Sequence, residues 1–469
     1  MLKKDVDKND FNNLNNIVCI YLYVTIAVVF IGRIIPLKNM IGTNIEGRLY
    51  VLLAFIGVGL LLLDFIGNKV WKKASYVWIL YLFVCVMAIS SLLNIQLGYI
   101  DNLKTMIWSI IQFGIFYTFY KRFDKRTLKL ILWNLWKVVS IFWCIPVCYS
   151  LWQFLNLEGK WVETDNARLV RQGFIESRLF GVFNDPNHAA ITSLCVIIAA
   201  LCLFENVKKK PYKILLIFNI FLQSQYIVLS GSRTALVCAF VACCIYGWEK
   251  ILIPIRKTEL IKKIVLFLMV PVLSVCFIIT ANSLVKDLCH LEIKIYTNIS
   301  SQGDFDISML EREDVSSENI SNNRTRIWKA YLEGLKGDTF FGGSPRNYTK
   351  KWIEKKPNGY LAESSYEIHN GYLSVLMGTG IVGMFIIIVY GILCMMRTLK
   401  FLIYSEVVEK EFVFSSVIIG ILMVYTFFFT ELFFIHNITS VLFWLHCGIM
   451  ISYFGNEKAK FYDCSTIIN

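Results

Sequence analysis

The sequence predicts an all-α polytopic membrane protein, with about twelve transmembrane helices and one large extracytoplasmic loop. The composition predicts the class. The 469 residues are 56% hydrophobic and 17% charged, with a mean hydropathy of +0.57, whereas soluble chains carry roughly a quarter charged residues. Apolar runs recur along the whole chain, and many reach the roughly 18–20 residues that cross a bilayer. The placement of the basic residues between those runs then orients them.

The first sixteen residues, MLKKDVDKNDFNNLNN, are polar and lead into an apolar run with no small-residue cleavage site, so the first span is read as retained. Spans are expected near 17–36, 49–67, 76–97, 103–120, 130–155, 187–204, 212–229, 234–253, 261–282, 370–396, 412–431 and 436–454. The N-terminus carries Lys3, Lys4 and Lys8. The even-numbered loops carry Lys69, Lys72 and Lys73, then Lys121 to Lys129, Lys208 to Lys213, Lys250 to Lys263, and Arg397 to Lys410. The tail adds Lys458 and Lys460. Short odd-numbered loops are poor in Lys and Arg, so the positive-inside rule places both termini and the even loops in the cytoplasm.

Most of the formal charge of +13 is therefore a topology signal and a contact with anionic membrane lipids. A nucleic-acid partner would need a basic folded domain, and the sequence offers none. The fourteen cysteines lie almost entirely within apolar runs and form no CxxC pair, so neither a disulfide framework nor a metal site is indicated.

Three regions follow: 1–282 with spans one to nine, 283–369 as the large outer loop, and 370–469 with spans ten to twelve and a cytoplasmic tail. Within the loop, 304–323 is acidic and poor in large apolar residues, as in a solvated segment. The stretch TRIWKAYLEGLKG, 325–337, carries Ile327, Tyr331, Leu332 and Leu335 at helical spacing, with Gly337 as a stop. It reads as a short amphipathic helix near the membrane surface.

Chemistry at an outer face requires polar groups at span ends on that side. Four stretches qualify, all in odd-numbered loops: ESRLFGVFNDPNHAA (176–190), LSGSRTALV (229–237), NNRTRIWKAYLEGLKGDTFFGGS (322–344) and EIHNGYLSVLMGTGIVG (367–383). Arg233 ends a tight connection between two spans, where it either snorkels or grips phosphate in two-pronged geometry. Arg178 is followed by Asp185 and Pro186, which suit a helix cap and first turn, and then by Asn187 and His188 in that turn. Arg326, with Arg324 beside it, belongs to the amphipathic helix and suits either surface anchoring or phosphate contact. Gly342 and Gly343 mark a turn. His369 can act as a neutral base at physiological pH. Asn370 follows it, then nine residues, then Gly380-x-x-Gly383, glycines that suit close helix packing. Glu431 and His436, at the outer ends of the last two spans, could reach the same cavity but read as an ordinary short turn.

The His-Asn pair followed by GxxG resembles the signature of the O-antigen ligase and Wzy-type polysaccharide polymerase superfamily. The SGSR turn, the RLFGVFNDPN stretch and the segment of Arg326, Trp328 and Ala330 before a Gly-Gly turn are similar in kind and order. One departure is Gly-Gly where a Gly-x-Gly turn is expected. The resemblance implies a GT-C-like glycosyltransferase of the bacterial plasma (inner) membrane. Its donor is a glycan on undecaprenyl diphosphate and its acceptor a sugar hydroxyl, with no cofactor. It implies His369 as general base, Arg178 and Arg233 as diphosphate clamps, Arg326 as a further phosphate or acceptor contact, and Asn370 and Glu367 as groups orienting the imidazole. Asn187 and Arg324 stand in support.

A diphosphate leaves readily once its charge is neutralised, which arginines can do, and outside the acidic tract 304–323 the outer loops carry no DxD motif. Direct attack on the anomeric carbon inverts it. A polymerase extends the next lipid-linked repeat; a ligase transfers finished glycan to lipid A core or another acceptor. An AT-rich residue usage favours a capsule or exopolysaccharide polymerase, which would work with a flippase and a chain-length regulator. A lipid-linked oligosaccharide flippase is the competing class. It needs charges along a central cavity, whereas the span interiors here carry little beyond Asp64 and Lys137.

Overall fold

A computed structural model describes residues 2–67, 69–163, 169–249, 260–300, 324–364, 367–405 and 408–455. The acidic tract 304–323 and the basic residues Lys250, Arg256, Lys257, Lys458 and Lys460 lie outside the described residues.

Helices dominate. In chain order they are α1 (Leu2–Ile31), α2 (Ile35–Ile41), α3 (Thr43–Ile66), α4 (Val70–Lys73), α5 (Val77–Leu93) and α6 (Tyr99–Ile111), which runs on through a π turn (Gln112–Phe116) and a 3-10 turn (Tyr117–Lys121). Then come α7 (Lys125–Leu155), strands β1 (Gly159–Glu163), β2 (Leu169–Ile175) and β3 (Arg178–Gly181), and helices α8 (Pro186–Asn206), α9 (Lys210–Leu229), α10 (Arg233–Gly247) and α11 (Leu260–Ser300). The last part holds α12 (Arg324–Gly334), α13 (Tyr348–Lys355), α14 (Tyr360–Ser364), α15 (Gly371–Tyr404), α16 (Lys410–Thr426) and α17 (Ile438–Ser452).

Among the described residues, seven helices are long and apolar enough to cross a membrane, and α5, α10 and α17 are shorter apolar helices. The chain is a helical, multi-pass membrane protein. Helical backbone stands at each of the twelve expected positions, but only seven helices have the length and composition of a span.

Three expectations need correction. The chain is not wholly α-helical: β1, β2 and β3 form a three-stranded antiparallel sheet in that order, inside a segment read as loop. The loop expected from residue 283 begins later, because α11 continues to Ser300. Finally, α12 ends at Gly334, where a side chain would meet Trp352, and Gly337 (φ +91°) lies in the turn beyond.

Four helix starts carry side-chain caps. α8, α10, α15 and α17 begin on the side expected to be outer, and each has a side-chain N-cap: Asp185, Ser232, Asn370 and Asn437. Each cap satisfies amide donors that a helix start leaves orphaned, typically contributing about 1 kcal/mol. On the opposite side α9 starts at Lys210 after Lys209, with no side-chain cap. A lysine at a helix N-terminus opposes the helix dipole by about 0.3–1 kcal/mol. Attraction to an anionic leaflet, about 1 kcal/mol per Lys, offsets that cost.

The chain divides into two compact units. One comprises Met1–Ile26, Val51–Lys125 and Ser321–Asn469; the other comprises Ala27–Tyr50 and Arg126–Ile320. In the first unit α5 packs on α15, and α17 packs on α16 and on the π and 3-10 turns. Phe113, Tyr117, Tyr390 and Trp444 form an aromatic cluster there. In the second, α8 and α9 pair closely, β3 lies against both, and α11 packs on α9 and α10. Trp143 stacks on Phe183, which meets Tyr226 edge-on.

The first unit also buries an ion pair. Arg122 Nη1 donates to Asp64 Oδ1 at 3.0 Å, with both side chains nearly inaccessible. Asp64, read as a stray charge within a span, is thus neutralised locally. Asp64→Ala leaves Arg122 buried without its anion and is expected to cost about 3–5 kcal/mol. Asp64→Leu combined with Arg122→Met should recover most of that loss. Thermal unfolding of the purified single and double variants checks it, and equal melting of Asp64→Ala and wild type would refute it.

Candidate functional site

The predicted residues fall into two groups, one in each unit. In the second unit, β2 and β3 join through a two-residue turn, Glu176–Ser177, with both residues at positive φ (53° and 56°). That conformation matches the right-handed twist of a hairpin but favours Asn and Gly. The turn delivers Ser177 and Arg178 to the ends of α8, α9 and α10. Arg178 Nε donates to Ser230 O at 2.8 Å, and its Nη2 to Asn187 Oδ1 at 3.1 Å. Asp185 Oδ1 in turn accepts from the Asn187 backbone N at 2.7 Å and from its side-chain Nδ2 at 3.0 Å. The cap expected at Asp185 is present, and it also orients the side chain that holds Arg178. His188 Nε2 lies 3.9 Å from Asp185 Oδ2.

Arg233 is exposed at the first position of α10, directly after the Ser232 cap, whose Oγ accepts from Ala235 N. A helix N-terminus with an arginine on it favours an anion twice over, through its amides and dipole and through the guanidinium. A pocket of about 180 Å³ opens there, lined by Ser177, Gly231, Ser232 and Arg233 on one side and by Asn282 and Lys286 of α11 on the other. Sequence reasoning missed Lys286 because the ninth span was expected to end at Asn282, whereas α11 continues to Ser300, and it gave Asn282 no role. Their four-residue spacing, which continues the helix, was the available signal.

In the first unit, residues 324–364 and 367–370 fold into a compact subassembly against α15. Ile327, Tyr331, Leu335, Tyr348, Trp352, Leu361, Ile368 and Met377 form its core. The apolar face of α12 is therefore spent on this core, apart from Leu332, which is 46% exposed. Polar contacts seat the subassembly on the ends of α5 and α6. Asn102 bonds Ser344 at 2.8 Å and accepts from Arg346 N at 3.0 Å. Lys351 bridges Asn94 and Asp338, and Lys355 also pairs with Asp338. Burial raises the Asp338 carboxyl, but the two lysines outweigh it and hold it below the usual carboxylate range, so the bridge is charged at neutral pH.

His369 stands between this subassembly and α15. Trp328 Nε1 donates to Ile368 O at 2.9 Å, fixing the residue before it, and Asn370 Oδ1 accepts from Tyr372 N and Leu373 N at 3.0 Å each, fixing the residue after it. Between these anchors His369 adopts φ +45°. Asn370, expected to orient the imidazole, is the α15 cap with its side chain turned to the helix. Glu367 is exposed. Arg326 lies over the Tyr360 ring at 4.2 Å, and Arg324 over Phe428 and Phe429 at 5.3 and 5.7 Å.

His436 is half-buried, stacked on Trp108 at 3.6 Å and near Gln112. Glu431 bonds Asn437. Both behave as parts of a packed turn.

Of the seven non-glycine residues with positive φ among the described residues, Glu176, Ser177 and His369 belong to these two groups. Such conformations cost about 1–3 kcal/mol each and gather at functional sites. Residues 218–388 match the protein family described as O-Antigen ligase. No curated protein matches the chain.

Proposed function

Since the chain belongs to the O-antigen ligase and Wzy-type polysaccharide polymerase superfamily, we propose that it polymerises undecaprenyl-diphosphate-linked oligosaccharide repeat units into a surface polysaccharide. In this reading the helices cross the membrane twelve times, both termini are cytoplasmic, and the 324–370 subassembly faces outward with the candidate residues. The donor is the lipid-linked glycan, and the acceptor is a sugar hydroxyl of the next repeat.

The acceptor hydroxyl attacks the anomeric carbon of the donor as its proton passes to His369. The new C–O bond forms, the bond from that carbon to the diphosphate oxygen breaks, and the electron pair leaves with the diphosphate. His369 then releases its proton to solvent. Removing a proton from so weak an acid as a sugar hydroxyl is the difficult part, and a positioned base typically contributes about 10²–10⁴-fold. Arg233 and Arg178 neutralise the departing charge, and Arg326 contacts phosphate or acceptor. A preorganised cation suits this role because it need not reorient as charge develops. Attack from the face opposite the diphosphate inverts the anomer.

The observation that carries the reading is the fixing of Arg178 by Ser230 O and Asn187 beside the Arg233 pocket. A cation that merely met solvent would not need two partners to fix its plane.

The test is synthesis by the purified full chain from a short-tailed undecaprenyl-diphosphate repeat unit. A ladder of lengths with the donor alone supports polymerisation. Transfer that appears only when a lipid A core or protein acceptor is added reassigns the chain as a ligase. Arg178→Gln should lower the rate by roughly tenfold or more, as for loss of a charge-assisted contact. Transport of the lipid-linked unit without any new glycosidic bond would overturn the reading.

A further inference from the structure

The pocket beside Arg233 has a second wall that the arginine pair does not use. Asn282 and Lys286 are four residues apart on α11, hence on one helix face, and both line the pocket. Lys286 is half-buried. Among the described residues no carboxylate lines the pocket, and Glu176, next to Ser177 on the hairpin, is paired with Arg171 at 3.0 Å. Two cations, an amide, two serines and a helix N-terminus therefore face a space with net positive charge.

The size fits the charge. About 180 Å³ holds roughly six waters at about 30 Å³ each. That suits a phosphate-sized group and is too small for a sugar repeat. The apolar lining by Ile227, Val228, Leu229 and Leu236 keeps the dielectric low, which strengthens ionic contacts at its mouth.

We infer that Lys286, assisted by Asn282, is a second cationic ligand of this site, so that the two phosphates of a prenyl diphosphate lie between Arg233 on α10 and Lys286 on α11. This rests on the reading that Arg233 holds the donor diphosphate. Lys286 acts as a point charge with rotatable donors, whereas Arg233 offers a planar fork. The Asn282 amide donates to an oxygen that neither cation covers.

The experiment uses the full chain in nanodiscs, titrated with farnesyl diphosphate and, separately, with inorganic pyrophosphate. Lys286→Gln is expected to weaken farnesyl diphosphate binding on the order of ten- to a hundredfold, and Lys286→Arg to restore most of it. Lys294→Gln, exposed on the same helix and outside the pocket, should bind like wild type. In the polymerisation assay Lys286→Gln should raise the donor KM far more than it lowers kcat. Pyrophosphate showing the same dependence on Lys286 means that the site reads the diphosphate itself. Dependence with the prenyl compound alone means that it reads a lipid headgroup. Normal binding by Lys286→Gln, together with loss in Arg233→Gln, overturns the role of Lys286 and leaves the donor reading intact. No binding of either compound by wild type overturns both.

Discussion

Replacing His369 with alanine is expected to lower the rate of glycan transfer by about 10²–10⁴-fold while leaving donor binding within a fewfold of wild type. The expectation follows from how the chain holds this residue. Ile368 O is tied to Trp328 and Asn370 caps α15, so the backbone on both sides is fixed and the imidazole is presented from a φ of +45°. Histidine at such a φ is a cost that glycine would not bear. His369→Gly should therefore be at least as stable as wild type, by up to about 1 kcal/mol, and just as inactive as the alanine variant. Stability and activity would then move apart, which a packing role does not allow.

A base must be unprotonated, so wild-type activity should be lost on acidification. The measurement is the initial rate at saturating donor across pH, for wild type, His369→Ala and His369→Gly. Equal rates, or an acid limb that survives in the variants, would return His369 to the role of a turn residue.

How much of this could be read from residues alone depended on the physical range of each signal. Bilayer-length apolar runs are local, and the helices stand where those runs are. The Asp185-Pro186 cap is equally local and is present. The sheet at 159–181 was hidden because its strands lack clean alternation. β2 runs Leu169–Ile175, exposing Leu169 and burying Gln172, and its register shifts at Gly173/Phe174. Lys286 and Asp287 fall in the expected loop because the apolar run ends near Asn282. A helix needs only its backbone bonds, and packing on α9 and α10 carries α11 beyond the apolar run. The least legible feature was Gly380-x-x-Gly383. The motif was visible, but its meaning depends on residues 339–343, a partner segment that no periodicity could have named.

That partner gives Gly380→Ala a large expected effect on folding. α15 is interrupted at Gly380, whose φ of 67° and ψ of −167° lie in a region that side chains all but exclude. The segment 339–343 fills the break. Ile381 N donates to Thr339 O at 2.8 Å, Val382 N to Phe340 O at 3.2 Å, and Gly343 N to Met377 O at 2.8 Å. Ser90 Oγ donates to Gly378 O at 2.7 Å. The polar groups released by the break are thus paired within protein, the condition under which a broken helix is tolerated in an apolar setting. A methyl group at Gly380 would lie 2.2 Å from Phe340 O, and one at Gly342 2.6 Å from Met377 O. Both obstacles are backbone, so neither can rotate away. Forbidden dihedrals and lost hydrogen bonds together should cost Gly380→Ala on the order of 3–5 kcal/mol. Gly391, in the same helix with nothing within 4 Å of its added methyl, supplies the control. Gly391→Ala should be neutral or stabilising by about 0.5–1 kcal/mol. Thermal unfolding of the two purified variants reads the contrast directly. Similar melting of Gly380→Ala and wild type would mean that the break is not required. The expected collapse would mean that the segment carrying His369 is held in place by a backbone-to-backbone clasp. In that case inactive variants of the Gly-Gly turn would be folding defects and not evidence for a phosphate-binding loop.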